Sequence, residues 1–277
     1  MVDLTHFFDD LDGELAVRTR DAMAAAAEPE RLVVALSGGV DSAVLLTLAV
    51  AARGAARVVA ATGDSPSLAR DDLDAAHRVA AALGVRHEVV STREIDRPGY
   101  RENAGNRCFH CRTELFEVLS ALARRSGGGT VAYGAIADDL PSDRPGMSAA
   151  ENLGVLAPLR AAGIDKRDVR ALAAAAGLAV RDKPASPCLA SRLPTGTPVT
   201  IERLRRIERA EGALHTLGFS RLRVRDHDPV GRVELDPAEM ARLSEPVVRA
   251  AVVAGVKAAG FRFVALDLEG YRSGSVS

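Results

Sequence analysis

The sequence predicts an α/β protein, with a doubly wound parallel sheet followed by a smaller α+β domain. Three observations carry this. Short apolar runs alternate with helix-length amphipathic segments through the longer N-terminal part of the chain. The run at 32–36 passes through Ser37-Gly38-Gly39 directly into an apolar helical pattern. Beyond a Pro-, Ser- and Thr-rich stretch at 183–198, the alternation gives way to two short strands about a tight turn, flanked by helices.

The elements follow in order. Residues 32–36 are apolar and β-branched-rich, as a buried strand requires. A helix is expected from Ser42 to about 52. Strands are expected at 56–61, 87–90 and 130–133, and helices at 67–83, 113–125 and 165–176. Asp165 suits the N-cap of the last of these helices and Gly177 its C-terminal stop. In the C-terminal part, helices are expected at 201–217, 237–243 and 247–259. Strands are expected at 222–226 and 231–235, about Asp226-His-Asp-Pro229, and at 261–268. The expected domains are 1–190 and 191–277, the second serving substrate binding or oligomerisation.

Composition narrows the class. The chain has 277 residues, 47% of them hydrophobic and 26% charged, as for a soluble globular protein. Apolar runs are too short to span a bilayer. The acidic N-terminus lacks the basic-then-apolar pattern of a signal peptide, so a cytoplasmic protein is expected. A net charge of −1 gives no general attraction to nucleic acid. Three cysteines in a reducing compartment argue for metal or catalytic roles over disulfides.

The strand, glycine turn and helix at 32–52 make an anion cradle. Glycine lets backbone N–H groups approach a phosphate, and the helix N-terminus favours negative charge. No Gly-Lys-Ser/Thr follows, so this is not a Walker A loop. Ser37, Gly38, Gly39, Val40 and Ser42 are the expected nucleotide contacts. Asp41 is a candidate Mg²⁺ ligand, or the cap of the helix beginning at Ser42. Cys108 and Cys111 form Cys-Phe-His-Cys at the expected start of a helix, and Cys188 lies 77 positions further on. Cys-x-x-Cys spacing lets two thiolates converge on one metal or cluster. No fourth cysteine exists to complete a structural zinc site, and His110 sits inside the pair. Three thiolates suit an iron–sulfur cluster with one open iron. The alternative is three small buried hydrophobes. His110 and His227 read as structural or solvated.

The string SGGVDS at 37–42 resembles the pyrophosphate loop of the ATP pyrophosphatases, which cleave ATP to AMP and pyrophosphate. Further stretches resemble the LarE family of ATP-dependent sulfur transferases. They are NRCFHC at 106–111, DD and RPG within 138–146, SPCLASR at 186–192, LRVRDH at 222–227 and LDLEGYRSGS at 266–275. The resemblance implies a substrate, pyridinium-3,5-biscarboxylic acid mononucleotide, whose product serves the nickel-pincer nucleotide cofactor. A carboxylate is adenylated by ATP, and sulfur then displaces AMP to leave a thiocarboxylate. It also implies two possible sulfur sources. Cys188 gives up its own sulfur, or Cys108, Cys111 and Cys188 hold a [4Fe-4S] cluster that passes on sulfide from a donor. The three cysteines favour the cluster.

Arg223 and Arg225, two apart on an expected strand, should face one side and suit a substrate phosphate or carboxylate. Arg192 lies four residues after Cys188, and Glu211 falls where the family has an acidic residue. The alternative for each is a solvated surface charge. The chain departs from the family at Ile136, where Asn is usual, and at Ser142-Asp143, where Asp-Tyr is usual. Asp138 and Asp139 either bind Mg²⁺ or fix their loop. The segment from Gly270 is expected to pack against another subunit of a homo-oligomer. A tRNA thiolase is the rival enzyme, but it usually carries additional zinc-binding cysteines, and no aromatic stacking surface is evident here. An ammonia-using synthetase would leave the cysteines unexplained. A non-catalytic nucleotide-binding regulator sits poorly with an intact SGGVDS.

Overall fold

A computed structural model describes residues 11, 13–127, 129–139, 144–184 and 186–272. In chain order the helices and strands are α1 (Gly13–Ala27), β1 (Leu32–Ala35), α2 (Val40–Arg53), β2 (Val58–Asp64), α3 (Arg70–Ala82) and β3 (Arg86–Ser91). Then come α4 (Pro98–Arg101), α5 (Arg107–Arg125), β4 (Thr130–Tyr133), α6 (Arg144–Asn152), α7 (Pro158–Ala161) and α8 (Lys166–Ala175). The chain closes with α9 (Ile201–Thr216), β5 (Leu222–His227), β6 (Val230–Leu235), α10 (Pro237–Met240), α11 (Pro246–Ala258) and β7 (Phe263–Leu266). The residues group into two units, 1–94 with 108–186, and 95–107 with 187–277.

The first unit is a four-stranded parallel sheet in the order β3-β2-β1-β4. The chain leaves β1 in one direction to β2 and β3, then returns to β1's other side as β4. That reversal puts the switch point between β1 and β4, where such sheets bind ligands. Side chains alternate across the sheet. Leu32, Val34 and Leu36 enter a core with buried residues of α1, α2, α3 and α8. Val33 faces a second core with Phe116, Leu119, Leu122 and Ala150 of α5 and α6. Helices therefore cover both faces, as a parallel sheet requires.

The second unit has a mixed sheet, β5-β6-β7, with β5 antiparallel and β7 parallel to β6. Asp226 is fully buried in it and accepts from Arg203 at 3.2 Å and Arg206 at 2.6 Å, tying α9 to β5. Backbone hydrogen bonds explain why residues 95–107 belong here. Gly196 N–H donates to the Asn103 carbonyl at 2.8 Å and Val199 N–H to that of Arg101 at 2.9 Å. The Asn103 side-chain amide donates to the carbonyls of Pro194 and Thr197.

Several expected boundaries move, among them the helix expected from 67, which starts at Arg70, and the strands expected at 56–61 and 261–268, which are Val58–Asp64 and Phe263–Leu266. Helix α2 starts at Val40, two residues early, with Gly39 as its N-cap. Helix α5 starts at Arg107, so the Cys-Phe-His-Cys motif is helical throughout. The helix expected at 237–243 is α10 followed by a 3₁₀ turn at Ala241–Ser244. At α8 the Asp165 carboxylate accepts from Asp168 N–H, and Asp168 answers on Asp165 N–H, a reciprocal capping box.

Candidate active site

The loop after β1 is built on glycine. Gly38 has φ +75, and a Cβ there would lie 2.1 Å from the Asp72 carbonyl oxygen of α3. Ser42 Oγ accepts from Ser37 N–H, lies 3.1 Å from Ser37 Oγ and donates to the Gly39 carbonyl. These bonds curl residues 37–42 about the start of α2. Gly39 makes no side-chain cap, so the first-turn N–H groups of α2 face the loop without a protein side-chain oxygen. At the end of β4, a Cβ on Gly134 would lie 2.8 Å from Ser42 N, so the switch point is closed by backbone on both sides. Such a cradle holds a polyphosphate through oriented N–H groups and hydroxyls.

Asp41 is the second residue of α2 and caps nothing. Its two carboxylate oxygens accept from Lys166 Nζ at 2.6 and 2.8 Å. Lys183 Nζ donates to the Gly38 carbonyl at 3.0 Å and to Asp72 at 2.7 Å. Neither lysine was anticipated from the sequence. The signal that could have found them is scarcity: only three of the 36 Lys and Arg residues are lysine, and two of those three sit on this loop.

Asp138 and Asp139 fix their loop. Asp138 accepts from Lys166 N–H at 2.8 Å, and Asp139 accepts from Ile136 N–H at 3.0 Å. Ser142 and Asp143 lie outside the described residues, and Arg144 begins α6.

In the second unit, Arg192, Glu211, Arg223 and Arg225 are buried, which excludes the solvated-charge alternative. Arg192 forms two parallel bonds to Glu211, at 2.9 and 3.0 Å. It also donates to the carbonyls of Pro187 at 2.5 Å and Cys188 at 3.2 Å. Burial works against the Arg192 charge, but Glu211 outweighs it and holds its pKa above the usual arginine value. Arg225 pairs with Glu234 and donates to the Ser191 carbonyl at 3.3 Å. Arg223 differs from both. It lies 2% exposed against the Tyr271 ring, 5.0 Å from its centroid. Among the described residues its hydrogen-bond partner is the Tyr271 hydroxyl, at 3.5 Å, and no carboxylate. Burial pulls its pKa below the usual arginine value; Tyr271 opposes this, and Arg192 and Arg225 add to it. A buried guanidinium with no carboxylate bonded to it suits an incoming phosphate or carboxylate.

Tyr271 packs within its own unit, its N–H donating to the Leu235 carbonyl at 2.7 Å. His227 is exposed at the end of β5, and His110 stacks edge-on against Phe109.

Cys108 and Cys111 are three apart in the first turns of α5 and therefore share a helix face. Cys108 is exposed, Cys111 and Cys188 are part-exposed, and none forms a disulfide. Three thiols are the donor chemistry an iron–sulfur cluster takes. Among the described residues, no three His, Cys, Asp or Glu side chains are gathered as a metal site. Cys108 and Cys111 belong to the first unit and Cys188 to the second.

A family model described as asparagine synthase matches residues 15–97, the stretch that holds the loop. A pyridinium-3,5-bisthiocarboxylic acid mononucleotide synthase of Lactiplantibacillus plantarum is 32% identical over 263 residues, covering 95% of each chain. This chain belongs to the LarE family of ATP-dependent sulfurtransferases. Its sheet and loop are those of the ATP pyrophosphatases. An uncharacterized protein of Synechocystis is 40% identical over 250 residues, 90% of this chain and 93% of that one. Another, of Methanocaldococcus jannaschii, is 27% identical over 244 residues, 88% and 92% of the two chains. No described helix is long and apolar enough to cross a membrane.

Proposed function

We propose that this enzyme converts pyridinium-3,5-biscarboxylic acid mononucleotide to its thiocarboxylate. The observation that carries the reading is likeness to the Lactiplantibacillus plantarum synthase over 95% of both chains. A carboxylate is a poor electrophile because its leaving group would be an oxide. A carboxylate oxygen attacks the α-phosphorus of ATP, pyrophosphate leaves, and an acyl adenylate remains. The Ser37, Gly38, Gly39, Val40 and Ser42 cradle receives the departing pyrophosphate through N–H groups and hydroxyls. Mg²⁺ accompanies the phosphates. Asp41 suits it, because each carboxylate oxygen keeps a lone pair beyond the one Lys166 occupies. Sulfide then adds to the acyl carbon, and AMP departs with the bonding pair.

Arg223 takes the substrate phosphate or free carboxylate. Arg225, held by Glu234, flanks Arg223 on the same strand, and Arg192, held by Glu211, fixes the backbone at Cys188. The residues 187–277, with 95–107, serve as the substrate-binding unit. The enzyme works in the cytoplasm as a homo-oligomer and binds no nucleic acid.

Sulfur reaches the adenylate through Cys108, Cys111 and Cys188. These three thiolates would hold a [4Fe-4S] cluster, which would supply an iron site for sulfide from a donor. A chain using Cys188 alone as sulfur source would have no chemical need of Cys108 and Cys111.

The test is anaerobic reconstitution with iron and sulfide, on the wild type and on each cysteine changed to alanine. About four irons per chain, lost in every variant together with thiocarboxylate formation, support the reading. No iron, and dehydroalanine at position 188 after turnover, would replace it with sacrifice of Cys188.

A further inference from the structure

Asp72 sits in the first turn of α3, is 6% exposed, and holds one segment of chain at two points, residues 183 and 186, with its two carboxylate oxygens. One accepts from Lys183 Nζ at 2.7 Å, and the other from Ser186 Oγ at 2.9 Å. Lys183 also donates to the carbonyl of Gly38, at 3.0 Å. The Asp72 backbone is itself the floor of the loop, because its carbonyl oxygen occupies the space a Gly38 Cβ would need. One residue of α3 therefore touches the pyrophosphate loop directly, holds it again through Lys183, and anchors the chain two residues before Cys188.

We propose that Asp72, Lys183 and Ser186 form a latch that couples nucleotide binding in the loop to the position of Cys188. They are positioning residues that act through the loop and the cysteine rather than on substrate. The proposal rests on Cys188 handling sulfur, as argued above. When phosphate fills the cradle, the Gly38 peptide is fixed, and with it the Lys183 ammonium that Gly38 shares with Asp72. Asp72 is then held rigid, and Ser186 bonds to a fixed acceptor. Without nucleotide only these protein contacts hold the Gly38 peptide, and the Lys183–Asp72–Ser186 chain is held less firmly. A short tether, Ser186-Pro187-Cys188, transmits the difference, and proline stiffens it by fixing its own φ.

Lysine identity supports a specific role at 183. Arginine stands at 33 of the 36 strongly basic positions, yet this one is lysine. A compact ammonium can donate to a carbonyl and a carboxylate from one atom. A planar guanidinium would have to spread its donors over a wider fork.

The experiment reads Cys188 directly and needs no sulfur transfer. Full-length protein is alkylated with iodoacetamide, with and without a non-hydrolysable ATP analogue, and the rate at Cys188 is followed by peptide mass spectrometry. The analogue is expected to slow alkylation of the wild type by about fivefold, the lower end of ordinary site-to-site coupling. In Ser186→Ala the slowing disappears, while the analogue's affinity stays within about twofold, because the loop side is intact. In Lys183→Arg coupling is lost as well, and circular dichroism checks that both variants fold. Equal slowing in Ser186→Ala would mean the nucleotide merely shields Cys188, and would overturn the latch. Absence of slowing in the wild type would overturn it too. Failure of the functional reading shows separately, as a wild type whose Cys188 responds to the analogue but which makes no thiocarboxylate.

Discussion

The carboxylate of Glu211 holds the Arg192 guanidinium by two parallel hydrogen bonds, with both side chains buried in the second unit. Glu211 also accepts from Val224 N–H at 2.9 Å, so one carboxylate joins α9, the Cys188 segment and β5. Removing it strands a buried cation. Glu211→Ala is expected to destabilise the protein by about 3–5 kcal/mol, whereas breaking an exposed pair costs far less. Denaturation in urea followed by circular dichroism measures this, since the chain has no tryptophan for fluorescence. A loss below about 1 kcal/mol would mean that the pair is not buried in solution.

Arg223 predicts the opposite stability effect. It is buried without a carboxylate partner among the described residues, so its charge weakens the empty protein. Arg223→Met should leave the melting temperature unchanged or raise it. Inorganic phosphate should raise the melting temperature of the wild type more than that of the variant, in which the Ser37–Ser42 cradle remains as a phosphate site. Equal protection of both proteins would place the anion elsewhere.

Gly38→Ala tests the loop. The new methyl would meet the Asp72 carbonyl, and alanine disfavours a φ of +75. The variant should fold, because the change lies outside the sheet core. Pyrophosphate release should fall by about a hundredfold or more, as for other small displacements of reacting groups. Retention of activity would show that phosphate does not sit on this backbone.

His87 gives a pH signature. Its Nε2 lies 2.8 Å from Thr62 Oγ1 and its Nδ1 3.0 Å from His77 Nδ1. Burial first, then His77, push its pKa down, against a smaller opposing effect of Glu88. The folded state therefore resists a proton that the unfolded chain accepts at about 6.5. Its contribution to stability is complete above that pH and is lost as pH falls below it toward the lower folded value. Midpoints of urea denaturation should thus fall more steeply with acid, from pH 7 to 5, in the wild type than in His87→Gln. Parallel slopes would contradict the shift.

Much of this architecture was legible in the sequence for local physical reasons. Strand β4 is apolar and β-branched and falls at 130–133, where its pattern puts it. The Asp165 cap is a short-range hydrogen bond that the residue types announce. The loop was legible because only small residues serve a backbone cradle. Other features depend on partners distant in sequence. Helix α1 buries Leu15, Thr19, Ala22 and Ala26, a spacing that is helical but weak in hydrophobic contrast. Cys-Phe-His-Cys stands at the start of a helix as expected, although its lack of an apolar period hid its continuity with the helix expected from 113. Lys166 meets Asp41 across 125 positions and Lys183 meets Asp72 across 111, so no local pattern marks either pair. The burial of Arg192, Glu211, Arg223 and Arg225 was equally hidden, since isolated charges are usually solvated.

The most direct measurement counts sulfur. Anaerobic enzyme, reconstituted with iron, is given ATP, the biscarboxylic acid mononucleotide and ³⁴S-labelled sulfide, and thiocarboxylate is quantified per chain by mass spectrometry. The account predicts several labelled products per chain, one pyrophosphate for each, and an intact Cys188. At most one unlabelled sulfur per chain, with Cys188 converted to dehydroalanine, would contradict transfer through the three cysteines.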